Sequence, residues 1–160
     1  ESRSGEIEKL EQPVATEVIR RSVAIKAEVV SKDERETLGI RTLLNYGHTI
    51  GHAMETASGY GTLLHGEAVS VGMSAAARIS KGMGFLSAAD VARQDRLLGS
   101  YGLPIRYTRV DRDAVHHAMG VDKKTHDGII QWVLLNNLGD GILSSDVPPE
   151  LVDAALKEVT

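Results

Sequence analysis

The sequence predicts a mostly α-helical, bundle-like domain with one small β-hairpin. Apolar residues recur at helical spacing in several segments, the first of which begins at Val14. The β-branched segment 129–135 has no such spacing, and a turn-forming segment at 136–141 follows it. A chain of 160 residues can bury one sizeable core, so residues 1–160 are expected to form a single helical domain.

The composition is that of a globular protein and excludes several classes of function. The net charge of −4 gives no basic excess to neutralise phosphates, so a nucleic-acid partner is not expected. The absence of cysteine excludes thiolate ligands, which leaves histidine and carboxylate for any metal site. No apolar run reaches the roughly 18 residues of a membrane span, and no signal peptide opens the sequence. A cytoplasmic protein without a membrane partner is therefore expected.

The first predicted helix follows Pro13, a residue that suits the first turn of a helix. Its helical spacing rests on four positions, of which the serine is the least apolar: Val18, Ser22, Ile25 and Val29. Lys26 lies in this helix, where a lysine ordinarily occupies a solvated face. The charged segment 31–36 is expected to be an exposed turn. It directly precedes a histidine-rich segment, which makes Glu36 a candidate for the same site.

A stripe of polar residues follows this turn. Its members are separated by four, three and four residues, which places them on one face of a predicted helix: Arg41, Asn45, His48 and His52. The stripe contains hydrogen-bond donors but no acidic partner. Because arginine binds carboxylate or phosphate groups through two parallel hydrogen bonds, this face suits an anionic, oxygen-rich ligand.

A third histidine, His65, follows the turn-forming segment 58–61, so the chain can fold back towards His48 and His52. Imidazole is the commonest metal ligand near neutral pH, and three converging rings suit a metal site. The spacing alone fits a polar helix face or a hydrogen-bonded pair equally well. Gly47 and Gly51 beside the histidines indicate either a close approach of a ligand to the backbone or close helix packing.

The remaining elements are predicted from their caps and small residues. A helix rich in alanine and glycine runs from His65 to Lys81, and Ser87 with Asp90 forms a capping box for a helix through Leu98. Later helices are expected at 111–119 and 150–159. Three further histidines are interpreted as solvated or incidental: His116, His117 and His126. The chain contains neither the glycine-rich dinucleotide fingerprint nor a phosphate-binding P-loop motif.

Several blocks of this sequence resemble the C-terminal domain of 3-dehydroquinate synthases, enzymes of the shikimate pathway of aromatic amino acid biosynthesis. The blocks follow one another along most of the chain: 26–30, 33–36, 41–53, 64–69 and 122–124. The third block, which contains the polar stripe, is long and specific. The resemblance implies a metal- and NAD-dependent lyase that converts 3-deoxy-arabino-heptulosonate 7-phosphate, a phosphorylated sugar acid, to 3-dehydroquinate and phosphate.

The resemblance also implies roles for individual residues. His48 and His65 would be two ligands of a divalent metal, zinc in most members of the family, with cobalt as the alternative. Catalytic roles would fall to His52, Glu36 and Lys26. Substrate contacts would fall to Arg41, Asn45 and one of Lys123 or Lys124.

The sequence departs from the family pattern in two respects. The NAD-binding α/β domain precedes this region in the family and is expected to be absent here, so no cofactor-binding residue is assigned. The third metal ligand in the family is a glutamate upstream of this region, and Glu17 lies at the wrong place in the family order. A catalytic zinc ordinarily has three protein ligands. The isolated segment is therefore expected to bind metal weakly and to be inactive, whereas the full-length protein is expected to be a homodimer.

Three alternatives remain open. Sugar-phosphate cyclases that make inososes or valiolones share the metal-binding histidines, and metal-dependent alcohol or glycerol dehydrogenases carry a similar pair. Arg41 and the lysine pair favour a substrate with a carboxylate. The alternative of another class is a non-catalytic helical interaction module, in which the polar stripe need not be organised.

Overall fold

The computed structural model describes residues 1–35, 37–59, 61–125 and 130–160, and for residues 121–125 it describes the backbone alone. The α-helices are α1 (Ser4–Glu8), α2 (Val14–Lys32), α3 (His48–Ser58), α4 (His65–Gly82), α5 (Ala88–Ser100), α6 (Arg112–Thr125) and α7 (Pro149–Val159). A 3-10 helix spans Arg41–Asn45, and the strands are β1 (Trp132–Asn137) and β2 (Asp140–Ser144). The prediction of a mostly helical domain with one hairpin is confirmed.

Helix α2 begins at Val14 as predicted, but its predicted apolar face is not buried. Of the predicted positions, Val18 is 39% exposed, Ile25 is 61% exposed and Val29 is half-buried, and full burial is confined to the first turn of the helix. Exposed ion pairs, such as that of Lys32 with Glu28, lie along the helix. Beyond the first turn, the apolar residues therefore follow the helical period without being fully buried in the described residues.

The charged segment after α2 contains a buried carboxylate. Asp33 is 3% exposed and accepts hydrogen bonds from the backbone N–H groups of Thr37, Leu38 and Arg41. Burial acts to raise the pKa of Asp33, but these bonds to the charged form outweigh it and the pKa is lowered. The expectation of an exposed turn is wrong for Asp33, because its side chain orders the loop that leads into the 3-10 helix.

The single helix predicted through the polar stripe is interrupted. The 3-10 helix ends at Asn45, and α3 begins only at His48. Between them Gly47 has a φ of +82°, in the left-handed region that glycine adopts readily. A Cβ on Gly47 would lie 2.6 Å from Cγ of Met73 on α4, so the break is made by close packing. Arg41 and Asn45 therefore do not share a helix face with the histidines, and that prediction is wrong.

Helix α4 lies at the centre of the core and contacts α3, α5, α7 and β1. It runs antiparallel to α3, because Gly51 packs against Val69 while Gly47 packs against Met73. The small residues predicted in α4 allow this approach. The largest fully buried side chains come from several elements: Ile50, Met54, Val71, Ile79, Val115, Leu134, Leu156 and Val159. The core therefore fixes the relative position of the first turns of α3 and α4.

The elements predicted for the C-terminal half are present with different bounds, and both strands extend into the segment 136–141 that was predicted to be a turn. Ser87 caps α5 by accepting from the N–H of Asp90, whose carboxylate accepts from the N–H of Ser87. β1 and β2 pair antiparallel, with Leu134 opposite Ile142. Helix α6 is longer than predicted and extends to Thr125. Within the described residues, no helix combines the length and the apolar character required to cross a membrane.

Candidate metal centre

Three imidazole rings, two from the first half of α3 and one from the first residue of α4, lie close together. One ligand nitrogen from each of His48, His52 and His65 can be chosen so that all three lie within 4.8 Å of one another. The ring centroids are 5.3 Å apart for His48 and His52 and 5.4 Å for His48 and His65. His48 and His52 project from one face of α3 because they are one turn apart, and His65 opens α4. The proximity predicted for the three histidines is confirmed.

The backbone before α3 determines which nitrogen of His48 carries hydrogen. Nδ1 of His48 lies 3.4 Å from the carbonyl oxygen of Tyr46. A carbonyl can only accept, so Nδ1 is the donor and Nε2 of the neutral ring carries the lone pair. Partial burial lowers the pKa of His48, the hydrogen bond to the carbonyl of Tyr46 acts to raise it, and the neighbouring His52 and His65 lower it, so that the net shift of the pKa is downward. This shift favours the neutral imidazole, which is the form that binds a metal.

A carboxylate that the sequence analysis did not identify orients the third ring. Oε2 of Glu55 lies 3.1 Å from Nδ1 of His65. Glu55 is on α3, three residues beyond His52, and its side chain is 20% exposed. Carboxylates that accept from a histidine in this way fix the ring and increase the basicity of its other nitrogen. Extending the polar stripe by one further step along the helix would have identified Glu55.

The arrangement fits a divalent metal that prefers nitrogen ligands. Zn–N distances of about 2.0–2.1 Å in a tetrahedral site place ligand nitrogens about 3.3 Å apart. From a separation of up to 4.8 Å, the nitrogens need to approach by no more than about 1.5 Å. His52 and His65 are exposed, so the centre is open to a substrate. Three imidazoles with one nearby carboxylate suit zinc or cobalt.

The other predicted site residues are exposed, contact residues outside this cluster, or lie outside the described part. Nη1 of Arg41 donates to the carbonyl oxygen of Glu34 at 3.4 Å, and Lys26 is exposed on α2. Asn45 is exposed at the end of the 3-10 helix. Glu36 and the side chains of Lys123 and Lys124 lie outside the described residues. The roles expected for these residues stay predictions.

Glu17, the weak alternative for a third ligand, is engaged elsewhere. Its carboxylate accepts hydrogen bonds from Arg20 and Arg21 on the exposed side of α2. These two bonds, that of Arg20 first, lower the pKa of Glu17 to about 2. In this structure the carboxylate of Glu17 is therefore paired with two arginines of its own helix.

A second histidine environment is found between α6, the hairpin and α7. Nε2 of His116 lies 3.0 Å from Oδ1 of Asp153, beside a cavity of 510 Å³ lined in part by Met119, Trp132 and Val147. His116 was interpreted as solvated or incidental. Its side chain is 36% exposed and forms this ion pair when protonated, so it is only partly solvated. His117 is exposed as expected, and His126 lies outside the described residues.

Together these observations define a helical domain that carries a three-histidine candidate metal centre. Comparison with known families then identifies the kind of domain. The family model described as 3-dehydroquinate synthase C-terminal matches residues 1–125. The chain belongs to this family, as its sequence motifs predicted.

Curated relatives support the same assignment. The 3-dehydroquinate synthase of Methylacidiphilum infernorum (isolate V4) is 46% identical over 154 residues, covering 96% of this chain and 43% of the relative. The 3-dehydroquinate synthase of Pseudomonas aeruginosa (strain LESB58) is 49% identical over 150 residues, covering 92% of this chain and 40% of the relative. The chain thus spans less than half the length of these relatives.

Solved structures share the fold. The 2-epi-5-epi-valiolone synthase of Streptomyces hygroscopicus subsp. jinggangensis 5008, solved with NAD+ and Zn2+ bound, matches with a TM-score of 0.82 and 26% identity. The match covers 98% of this chain and 44% of that protein. A 2-deoxy-scyllo-inosose synthase, complexed with carbaglucose-6-phosphate, NAD+ and Co2+, matches with a TM-score of 0.66 and 28% identity. That match covers 79% of this chain and 36% of that protein.

Proposed function

We propose that this chain forms the metal- and substrate-binding part of a 3-dehydroquinate synthase. The parent enzyme would convert 3-deoxy-arabino-heptulosonate 7-phosphate to 3-dehydroquinate and phosphate. One observation carries the proposal: His48, His52 and His65 converge within 4.8 Å in a chain of the 3-dehydroquinate synthase family. NAD would be bound by polypeptide outside residues 1–160, as relatives more than twice as long as the matched region allow.

We assign His48 and His65 as metal ligands because the two rings have distinct supports. The carbonyl of Tyr46 directs Nδ1 of His48, and Glu55 directs Nδ1 of His65, so each ring offers Nε2. A bound divalent ion would supply Lewis-acid polarisation of a substrate hydroxyl. The third protein ligand is either His52 or a carboxylate outside this chain.

The role proposed for His52 is proton transfer. Its ring is exposed and lies 5.3 Å from that of His48, so it can reach a substrate held at the same centre. Arg41, Asn45 and one of the two lysines, Lys123 or Lys124, would hold the anionic groups of the substrate. Glu36 and Lys26 complete the proposed set of catalytic residues.

A related cyclase whose sugar-phosphate substrate lacks a carboxylate is the second candidate function. The observation in its favour is the TM-score of 0.82 against a valiolone synthase, because a cyclase of that kind contains a domain with the same fold. The two functions differ in whether a substrate carboxylate must be bound. The full-length protein should therefore be assayed with sugar phosphates that carry or lack a carboxylate. Turnover of the carboxylate-bearing substrate alone supports the synthase, and the reverse result supports the cyclase.

The metal site is tested by calorimetric titration of zinc into this chain. We expect weak binding that is lost in His48→Ala and in His65→Ala. His117→Ala provides the matched control, because it removes an exposed histidine of α6 and should leave binding unchanged. Equal binding by wild type and His48→Ala would remove the basis for the proposal. Tight binding by wild type together with its loss in His52→Ala would assign His52 as the third ligand.

The expected inactivity of the isolated chain has its own test. The chain should form no measurable dehydroquinate when supplied with substrate, NAD+ and zinc. Addition of the missing part of the protein as a separate polypeptide should restore activity if the two parts associate. Product formation by residues 1–160 alone would contradict this part of the proposal.

A further inference from the structure

A buried hydrogen-bonded group lies behind the first turn of α3. The hydroxyl of Tyr46 donates to Oε1 of Gln94 at 2.8 Å, and Nε2 of Gln94 donates to the carbonyl oxygen of Met73 at 3.0 Å. Gln94 is on α5, 48 residues away in sequence, and is 7% exposed. Burial raises the pKa of Tyr46 well above its usual range, so the hydroxyl remains protonated and can donate.

This group fixes the peptide that directs His48. The side chain of Tyr46 is anchored by α4 and α5, while its own carbonyl oxygen faces Nδ1 of His48. The next residue, Gly47, is pressed against α4 at Met73, the same residue whose carbonyl accepts from Gln94. The anchor and the histidine are therefore joined by a short stretch of backbone that has little freedom to move.

The position of the Tyr46 carbonyl is important because its hydrogen bond with His48 is long. Nδ1 of His48 and the carbonyl oxygen are 3.4 Å apart, near the limit for a hydrogen bond. A displacement of about 0.2 Å takes the pair to a distance at which no hydrogen bond exists. Without that bond, neutral imidazole is free to place its hydrogen on Nε2, which removes the lone pair directed at the cluster.

We infer that Tyr46 and Gln94 are positioning residues that hold His48 in the Nδ1–H tautomer and thereby prepare Nε2 to bind a metal. The consequence for metal affinity rests on the proposed metal site, but the tautomer is a property of the protein without metal. Gln94 carries no recognisable sequence signal for such a role, since it lies in the middle of an amphipathic helix.

The test is nitrogen NMR of the histidine rings in the 15N-labelled, metal-free chain, at a pH where His48 is neutral. Wild type should show His48 mainly as the Nδ1–H tautomer. Tyr46→Phe, which keeps the ring and removes the hydroxyl, should shift the population towards Nε2–H. The affinity for zinc, measured by calorimetry, should fall about tenfold in the same variant, the lower end of the effect of removing an outer-shell partner.

A control variant separates positioning from loss of stability. Ser80 is fully buried, donates to the carbonyl of Ala76 and accepts from the N–H of Leu135. Ser80→Ala should destabilise the fold while preserving both the tautomer and the zinc affinity. The double variant Tyr46→Phe/Gln94→Met removes both polar partners, so it should recover stability lost in Tyr46→Phe. It should not recover the tautomer.

Several results would overturn the inference. These are a wild-type His48 already in the Nε2–H form, an unchanged tautomer in Tyr46→Phe, an equal shift in Ser80→Ala, or recovery of the tautomer in the double variant. If wild type bound no zinc, the proposed metal site would fail, whereas the NMR comparison would still decide whether Tyr46 and Gln94 set the tautomer.

Discussion

Gly72 of α4 packs directly against the carbonyl oxygen of Gly47, and a Cβ placed on Gly72 would lie 2.0 Å from that oxygen. No side chain can fit into this contact without moving α3 away from α4. Because His48 and His52 are carried by α3 and His65 by α4, the same contact determines how closely the three rings approach.

Gly72→Ala should therefore destabilise the protein by about 3 kcal/mol, the upper part of the range for overpacked cores. The physical reason is that the atom met by the new methyl group belongs to the backbone and cannot rotate away. The free energy of unfolding should be measured by denaturant titration. Gly99→Ala in α5 is the matched control, because its Cβ would meet nothing within 4 Å. It should stabilise the protein by up to about 1 kcal/mol. Equal stability of Gly72→Ala and wild type would contradict the packing described.

Glu55→Gln should weaken zinc binding about tenfold, because the amide cannot provide the negative charge that orients and polarises His65. Calorimetric titration measures the effect, and far-UV circular dichroism confirms the fold. Asp153→Asn is the control, since it removes a similar carboxylate–histidine contact of 3.0 Å at His116, away from the cluster. Equal losses in the two variants would indicate a general electrostatic effect and would argue against a specific role for Glu55.

The stability of the protein should depend on Asp33 at acidic pH. The pKa of Asp33 is lowered in the folded state, so the unfolded chain takes up a proton first as the pH falls. The stability that Asp33 contributes is thus present above the unfolded pKa of about 3.9 and is lost as the pH falls through the folded pKa. Asp33→Asn should be less stable than wild type at neutral pH, and the difference should shrink below about pH 4.

Thermal unfolding of both proteins between pH 3 and pH 7 measures this convergence. Asp146→Asn, at an exposed position near the C-terminal helix, is the control and should follow the wild-type profile. A difference between wild type and Asp33→Asn that stays constant over this interval would show that the charge of Asp33 does not contribute.

Arg78 joins three helices through a partly buried network, and its loss should be costly. It donates to Asp95 on α5 at 2.9 Å, to Glu158 on α7 at 2.7 Å and to the carbonyl of Ser74 at 2.9 Å. The side chains of Arg78 and Asp95 are 14% and 13% exposed, so Arg78→Met would leave a largely desolvated carboxylate without its partner. We expect a loss of about 2–3 kcal/mol, somewhat below the value for a fully buried pair.

Denaturant unfolding tests this expectation. Arg93→Met is the control, because Arg93 pairs with Glu1 while both side chains are at least half exposed. It should change stability little, as is typical for surface ion pairs. A further variant, Arg78→Met/Asp95→Leu, should recover part of the loss because it removes the uncompensated charge. A cost for Arg93→Met as large as that for Arg78→Met would show that burial is not the cause.

Local sequence patterns predicted most of the helices and the hairpin. The capping box of Ser87 and Asp90, the small residues of α4 and the turn between β1 and β2 each act over a few neighbouring residues. The grouping of His48 with His52 was predictable for the same reason, since residues one turn apart on a helix share a face. The turn-forming segment 58–61 predicted that His65 could fold back towards them, and the family motifs supported the same grouping.

Other features were not predictable from spacing. The polar stripe from Arg41 to His52 has helical periodicity, yet the helix breaks at Gly47 because α4 packs against the backbone there. Segment 31–36 was predicted to be exposed because it is rich in charged residues, but Asp33 within it is buried. The apolar face of α2 follows the helical period but remains exposed in the described residues.

The sequence by itself determined most of the helical segments, the family of the chain and the three histidines of the candidate centre. The tertiary structure alone decided that Glu55 orients His65, that Gln94 anchors Tyr46, and that Arg41 and Asn45 leave the face of α3. The physical reason is the separation along the sequence over which each effect acts. Hydrogen bonding and side-chain periodicity within a helix act over about four residues, whereas these relationships depend on how closely α3, α4 and α5 pack.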